Sequence, residues 1–198
     1  MSDPLAQRRD AFIDQLHKLH HGASSGIAKH QSDCRAQLAR LRRSLNGPQY
    51  QVDAYEFLFK QNPPETEQET WLLVAGLFAT HPQPGRSGRR SLGTSMRDLR
   101  AKRTDSATRR FQQLLGRDRR ALPHHLRQTI RLLASDSIPV NYGQLLDDLV
   151  VLLGERYREP EAHRVRLKWA RDFHLPDIKP TKAATSTGTP IPSSSENQ

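Results

Sequence analysis

Arginine is the residue type through which this sequence could do chemistry, because it is concentrated in one segment. Between Arg86 and Arg131 there are fourteen lysines and arginines, thirteen of them arginine, against three acidic residues, a local excess of eleven positive charges. The whole chain of 198 residues carries a net charge of +10. The planar guanidinium group makes paired hydrogen bonds to phosphate and stacks on bases. The segment therefore predicts binding to a nucleic-acid backbone.

Eleven arginines are predicted to contact this backbone. They are Arg42, Arg43, Arg89, Arg90, Arg109, Arg110, Arg117, Arg119, Arg120, Arg127 and Arg131. A solvated basic face without any ligand is the alternative interpretation, and the density of arginines weakens it. We expect no cofactor, no small-molecule substrate and no insertion into a membrane.

Three histidines offer a second kind of chemistry. His17, His20 and His21 have the spacing at which side chains of one helical face could meet a metal ion, but no nearby Cys, Asp or Glu completes a tetrahedral set. The sequence also has no glycine-rich phosphate loop, GxSxG, HExxH or CxxC motif. We therefore predict no metal site and no catalytic residue. A metal-dependent nuclease that combines these histidines with distant acidic residues stays open.

Two pairs of adjacent ionisable residues are interpreted as surface groups. His124 and His125 adjoin the start of a helix among arginines, which favours a cationic surface or phosphate contact over general-base catalysis. Asp147 and Asp148 point about 100° apart on a helix, which does not suit a shared metal or an acid/base pair. We expect the two carboxylates to lie at the surface or between the two halves of the protein.

Apolar residues recur at helical spacing along the chain, and no stretch shows sustained alternation with a period of two. The predicted fold class is therefore all-α. Thr66 and Glu69 form a capping-box pattern before an almost wholly apolar stretch, which predicts the central helix of the amino-terminal half. Asn141 is predicted to begin another strongly apolar helix. Asp105 or Ser106 is predicted to cap the helix that carries Arg109 and Arg110.

A loop at residues 81–90 separates two helical halves. Its two prolines, two glycines and three arginines predict an exposed basic segment that is free to reach a ligand. We predict an amino-terminal helical lobe at residues 1–85 and a basic carboxyl-terminal lobe at residues 86–175. Residues 176–198, rich in Thr, Ser and Pro, are predicted to form a disordered tail.

The cysteine content and the amino-terminal residues indicate the cellular compartment in which the protein is expected. Cys34 is the only cysteine and cannot form an internal disulfide, and residues 1–10 carry charges where a signal peptide would have an apolar core. These features predict a reducing cytoplasm. The longest apolar run, residues 71–79, is far shorter than the ~20 residues that a membrane-spanning helix needs.

Five segments in order carry a resemblance to a known family. They are Leu41-Arg42-Arg43, the AYEFLF stretch at residues 54–59, Ser91-Leu92-Gly93, the RRFQQLL stretch at residues 109–115 with Asp118-Arg119 and Leu126-Arg127, and the WARDF stretch at residues 169–173. With this order and spacing the chain resembles the CasB family, the small subunit of the type I-E CRISPR surveillance complex called Cascade.

The resemblance implies a subunit without catalytic activity that is present in two copies. It implies that the subunit lies along the guide RNA (crRNA), steadies target DNA including the displaced strand, and contacts other Cascade subunits in antiviral defence. By matching motif, it points to Arg43, Arg110, Arg119 and Arg127 as the leading contacts with nucleic acid. A helix-turn-helix regulator, which reads a major groove with one helix, is the remaining alternative.

Overall fold

Helices account for the regular structure of the protein. The computed structural model describes residues 3–88 and 90–175, and within these ranges it contains no strand. The α-helices are α1 (Pro4–Gly22), α2 (Ala28–Arg43), α3 (Val52–Phe59), α4 (Gln68–Thr80), α5 (Leu92–Lys102), α6 (Thr104–Leu115), α7 (Leu122–Ser135), α8 (Tyr142–Leu153) and α9 (Glu159–His174). Short 3₁₀ turns lie at Ser44–Asn46, Pro48–Tyr50 and Glu65–Glu67. The all-α prediction is confirmed, whereas Arg89 and the predicted tail at 176–198 lie outside the described residues.

Helix α4 is the centre of the amino-terminal half, as its composition predicts. Nine of its residues are buried, and it packs against α2, α3, α7 and α8. Phe78 of α4 meets Tyr142 of α8 edge to face at 5.1 Å, and the Tyr142 hydroxyl lies 3.0 Å from the carbonyl oxygen of His81. Buried side chains from both sides of residue 85 thus join one cluster. The division into lobes at 85/86 stays a prediction.

The predicted helix starts are confirmed at one place and wrong at two. Asn141 caps α8, because its Oδ1 accepts the backbone N–H of Gln144 at 3.0 Å. Helix α6 instead begins at Thr104 with Arg103 as N-cap, ahead of the predicted Asp105 or Ser106. At α4 no side chain caps the start, so the capping box predicted from Thr66 and Glu69 does not form.

Glu67 directly precedes α4, but its side chain binds Arg9 and Trp71 and does not cap the helix. Its carboxylate accepts Arg9 Nε from α1 at 3.0 Å and Trp71 Nε1 at 2.9 Å, and only 7% of its side chain is exposed. Burial alone would raise the pKa of this carboxyl, but the hydrogen bonds from Arg9 and Trp71 outweigh it and hold the pKa below its ordinary value. The ionised Glu67 therefore joins α1 to α4.

This lowered pKa predicts a loss of stability in acid. The contribution of Glu67 is fully present above the pKa of the unfolded carboxyl and disappears as the pH falls through the lower folded value. We expect Glu67→Gln to lower the free energy of unfolding by about 1–3 kcal/mol at neutral pH, and this deficit should shrink below about pH 4. Thermal denaturation of both proteins from pH 7 to pH 3 measures the difference.

Glu56→Gln is the matched control, because Glu56 pairs with Lys60 at the surface at 2.6 Å. Exposed ion pairs contribute little to stability, so this variant should follow the native protein at every pH. A deficit of Glu67→Gln that stays constant down to pH 3 would contradict the account.

The loop at residues 81–90 is fixed to the rest of the protein, so the prediction of a free basic segment is wrong for its described residues. Arg86 forms salt bridges with Asp10 (2.7 Å) and Asp14 (3.0 Å) of α1. Asn141 donates to the carbonyl of Gly88, and Arg90 pairs with Asp98. The loop arginines seen in the structure are thus neutralised by carboxylates that lie outside the loop.

The two adjacent aspartates occupy different environments. Asp147 is exposed and accepts Arg9 Nη1 at 3.0 Å, which places it between α1 and α8 as expected. Asp148 is buried, and accepts Trp169 Nε1 at 2.6 Å and Gln144 Nε2 at 3.0 Å, so its assignment to the surface is wrong. Burial raises the pKa of Asp148. This carboxylate is a structural link between α8 and α9.

Candidate nucleic-acid interface

One face of α7 is basic because its opposite face fills the core. Leu122, Leu126 and Ile130 point inward and are at most 1% exposed. Helical geometry then turns Arg127 and Arg131, which are four residues apart, to the outside of the helix. They lie close enough that the charge of Arg131, together with the larger effect of burial, lowers the pKa of Arg127.

Hydrogen bonds extend this face from α7 to α6. Gln128 donates from Nε2 to His124 Nε2 at 2.7 Å, and Arg110 of α6 donates to Gln128 Oε1. The charges of Arg117 and Arg110 also reach His125, whose pKa is lowered first by burial and then by these neighbours. We call the resulting surface the basic track. It comprises Arg110, Arg117, Arg119, Arg120, His124, His125, Arg127, Gln128 and Arg131.

Arg119 is held in place by the end of α8. Its Nη2 donates to the carbonyl oxygens of Leu153 and Gly154, the second at 2.9 Å, and its guanidinium carbon lies 5.8 Å from the centre of the Tyr157 ring. The carboxyl end of a helix carries partial negative charge and stabilises a cation there. The side chain is therefore positioned by carbonyl oxygens and an aromatic ring, and not by a carboxylate.

Arg127 is half-buried, and no carboxylate of the described residues lies at salt-bridge distance from it. Its Nη1 donates to the carbonyl of Leu45, while its Nε is buried with no hydrogen-bond partner in the described structure. Burial, followed by the charge of Arg131, lowers the pKa of Arg127. A partly desolvated cation lacks a counter-charge at this point, and a bound anion would supply it.

The arginines of the track differ in their partners from three arginines that precede them in the chain. Arg86, Arg90 and Arg103 each form a salt bridge with an aspartate. Within the part of the chain that the structure describes, no carboxylate lies at salt-bridge distance from the six arginines of the track or from Arg109, which neighbours the track on α6. These seven arginines are Arg109, Arg110, Arg117, Arg119, Arg120, Arg127 and Arg131.

A cleft of about 560 Å³ lies at one end of the basic track. Arg119, Arg120 and Arg127 line its carboxyl-terminal side. The opposite side is formed by the turn that follows α2 and by the first half of α4, which contribute Leu45 and Leu73 among others. The cleft therefore joins the basic track to the amino-terminal half of the protein.

Several predicted contacts lie apart from this arrangement. Arg42 and Arg43 are exposed at the end of α2, and Arg43 lines a separate groove with Arg40, Asp53 and Glu56. Arg109 is exposed on α6, but it points about 100° away from Arg110. Arg90 is neutralised by Asp98. These residues stay predictions without support from the geometry of the track.

Sequence reasoning missed Gln128 and Tyr157. Gln128 connects α6 to α7, and its position four residues after His124 on the outward face of α7 was a usable signal. Tyr157 lies in the connection between α8 and α9, and no local pattern places it beside Arg119.

The amino-terminal histidines do not assemble a metal site. His17 is buried, with Nδ1 2.9 Å from the carbonyl oxygen of Gln83, and its ring packs against Phe78. The rings of His20 and His21 lie 5.9 Å apart. Among residues 3–88 and 90–175, no three His, Cys, Asp or Glu side chains are grouped so that they could hold a metal ion. No helix in the same ranges is long and apolar enough to cross a membrane.

The fold and the site define a class, that of small, basic, all-helical proteins with a surface suited to a phosphate backbone. The model of one family, CRISPR-associated protein Cse2, matches residues 37–174. The chain belongs to the Cse2 family of CRISPR-associated proteins, some members of which are named CasB, and the resemblance seen in the sequence is confirmed.

Individual relatives agree with this assignment. A Cse2 protein of Thermus thermophilus is 34% identical over 120 residues. The match covers 60% of this chain and 63% of the Thermus protein, so it spans less than two thirds of that protein's length. The crystal structure of a Cse2-family protein from Thermus thermophilus has a TM-score of 0.60 at 28% identity, covering 83% of this chain and 96% of that one. The crystal structure of CasB from M. ruber has a TM-score of 0.55 at 29% identity, and the match covers 84% of this chain and 91% of that one.

A chain of a solved CRISPR RNA-guided surveillance complex shares the fold. Its TM-score is 0.66 at 22% identity, with 86% of this chain and 93% of that chain covered.

Proposed function

We propose that this protein is a non-catalytic structural subunit of a CRISPR RNA-guided surveillance complex of the Cascade type. Its basic track holds the phosphate backbone of the guide RNA or of target DNA, including the displaced strand. Other Cascade subunits and a second copy of the chain are its protein partners. In this role base pairing with the guide selects the sequence, so the protein needs to recognise only a backbone.

One observation carries the proposal, namely the absence of carboxylate partners along the track. None of the six arginines of the track has an acidic partner among the described residues, and Arg127 is in addition half-buried. A surface of cations without carboxylate partners matches a polymer that carries an anion at every nucleotide. Membership of the Cse2 family and the fold shared with a surveillance-complex chain support the same assignment.

The salt dependence of binding tests the proposal. If about five phosphates are contacted, the logarithm of the affinity for a single strand should fall with the logarithm of salt concentration with a slope of roughly −3 to −4. Fluorescence anisotropy between about 50 and 200 mM salt, on strands of two unrelated sequences, measures the slope, and both strands should give the same value. A slope near zero would contradict the proposal.

Titrations with duplexes and a cleavage assay separate the alternatives. A preference of more than about 100-fold for one duplex sequence would favour a helix-turn-helix regulator instead. Incubating the strands with the protein and Mg²⁺ or Mn²⁺ should leave them intact, and multiple-turnover cleavage would contradict the non-catalytic assignment.

A further inference from the structure

We infer that the cleft beside Arg119, Arg120 and Arg127 holds one unstacked nucleobase, so that the site prefers a single strand to a duplex. The inference rests on the proposed function, because it assigns a base-binding subsite to a surface proposed to hold phosphates. It adds a nucleobase as a ligand, whereas a row of guanidinium groups alone accounts only for the binding of phosphates.

The walls of the cleft suit a base better than a phosphate. Six apolar side chains line it: Leu45, Pro48, Leu72, Leu73, Pro123 and Leu153. A phosphate group gains nothing from apolar walls, whereas the faces of a base are apolar and its edges carry hydrogen-bonding groups. The polar residues Ser44, Gln51, Glu69 and Thr70 also line the cleft and offer hydrogen-bonding groups for such an edge, the Glu69 carboxylate as an acceptor. The volume of about 560 Å³ lies within the range of pockets that hold small organic ligands.

The mouth of the cleft supplies positive charge for the phosphate of the same nucleotide. Arg127 lines the cleft with a buried, unpartnered Nε, and Arg119 is held there by the carbonyl oxygens at the end of α8. A fixed guanidinium plane can stack on the face of a base or bind the adjoining phosphate. Apolar walls behind cations without carboxylate partners therefore match a nucleotide that has its base inside and its phosphate at the mouth.

The inference favours single strands for a physical reason. A base in a duplex is paired and stacked, so it can enter the cleft only after both interactions are broken. A base in a single strand has no pairing partner to lose. The continuation of the basic track over α7 and α6 provides neighbouring positions for the phosphates of the same strand.

Strands without bases test the inference. The probes are a single-stranded oligonucleotide of mixed sequence and a strand of equal length made only of abasic sites, which keeps the phosphates. Binding of both to the full chain is measured by anisotropy across the salt range. We expect equal salt slopes, because the phosphate contacts are the same, and about tenfold tighter binding of the base-bearing strand at every salt concentration.

Two further measurements locate the effect. Leu73→Ala combined with Leu153→Ala removes two half-exposed wall residues and should abolish most of this difference without changing either slope, with thermal denaturation as the check on folding. The described residues lining the cleft include no aromatic ring that would quench a fluorescent base. The emission of 2-aminopurine placed in the strand should therefore rise when the native protein binds and unstacks it.

The outcomes distinguish the inference from the proposed function. Equal affinity for the two strands with the expected slope would overturn the base subsite and leave backbone binding intact. A difference that survives in the wall variant, with no change in 2-aminopurine emission, would also overturn it. If the wall variant binds strands normally but fails to join the surveillance complex, the cleft holds a protein partner and the inference is wrong. Salt-independent binding of both strands would reject both proposals.

Discussion

Replacing Arg119 and Arg127 together by alanine is expected to weaken the binding of a single strand by about 30-fold near 100 mM salt. Both side chains line the cleft at one end of the basic track, and neither has a carboxylate partner in the described structure. Each substitution removes a cation that would otherwise pair with phosphate. Losing two contacts should also reduce the steepness of the salt dependence by about 1.4 in the log–log slope. Anisotropy titrations measure both quantities.

The matched control removes the same charge elsewhere. Arg8 and Lys18 are exposed on α1, away from the track, and Arg8→Ala with Lys18→Ala lowers the net charge by the same amount. This variant should keep the native slope and nearly the native affinity, because exposed charges at a distance are screened by salt. Equal losses in the two double variants would mean that binding follows net charge and that the track has no special role.

Arg127 also donates to the carbonyl of Leu45, so its replacement must be checked for an effect on folding. The lost hydrogen bond is offset in part because a half-buried guanidinium without a carboxylate partner no longer has to be desolvated. We therefore expect the double variant to remain folded, and circular dichroism with thermal denaturation decides this before binding is measured.

Gly93→Ala is expected to lower the free energy of unfolding by about 2–4 kcal/mol. Gly93 lies in the first turn of α5, where α9 crosses against it. A β-carbon at this position would overlap the carbonyl oxygen of Trp169 and stand 2.8 Å from its carbonyl carbon. The obstacle is backbone of a packed helix, so relief requires α5 and α9 to move apart. Urea denaturation measures the loss.

Gly116→Ala provides the comparison for this effect. Gly116 ends α6 with φ of −85°, which an alanine also adopts, and an added β-carbon would meet only the carbonyl oxygen of Gln112 at an ordinary 3.5 Å. We expect its stability to stay within about 0.5 kcal/mol of the native value. If both alanine variants were equally stable, close packing of α5 on α9 would not be the reason for glycine at position 93.

Local patterns predicted the features that depend on neighbouring residues in the chain. The apolar composition of α4 predicted its central position, and Asn141 predicted the start of α8, because helix periodicity and capping are decided within a few residues. The basic outer face of α7 was predictable for the same reason. Arg127 and Arg131 are four residues apart on a helix whose inward leucines are evident in the sequence.

Features that depend on distant partners were not predictable in this way. Nothing near Arg86 in the sequence indicates that Asp10 and Asp14 would neutralise it, so the loop at residues 81–90 was predicted to be free. Glu67 was available to cap α4, but Arg9 and Trp71 bind it instead. Composition counts every arginine equally. Only the folded structure separates those that have carboxylate partners from those that do not.

Contact between the basic track and nucleic acid can be measured as the distance from its guanidinium groups to phosphates in the assembled complex. A structure of the surveillance complex reconstituted with this full chain, its guide RNA and target DNA should show the guanidinium groups of Arg119, Arg127 and Arg131 at hydrogen-bond distance from consecutive phosphates of one strand. If these groups faced open solvent, or carboxylates of a neighbouring subunit, while the strand ran elsewhere, the account would be contradicted.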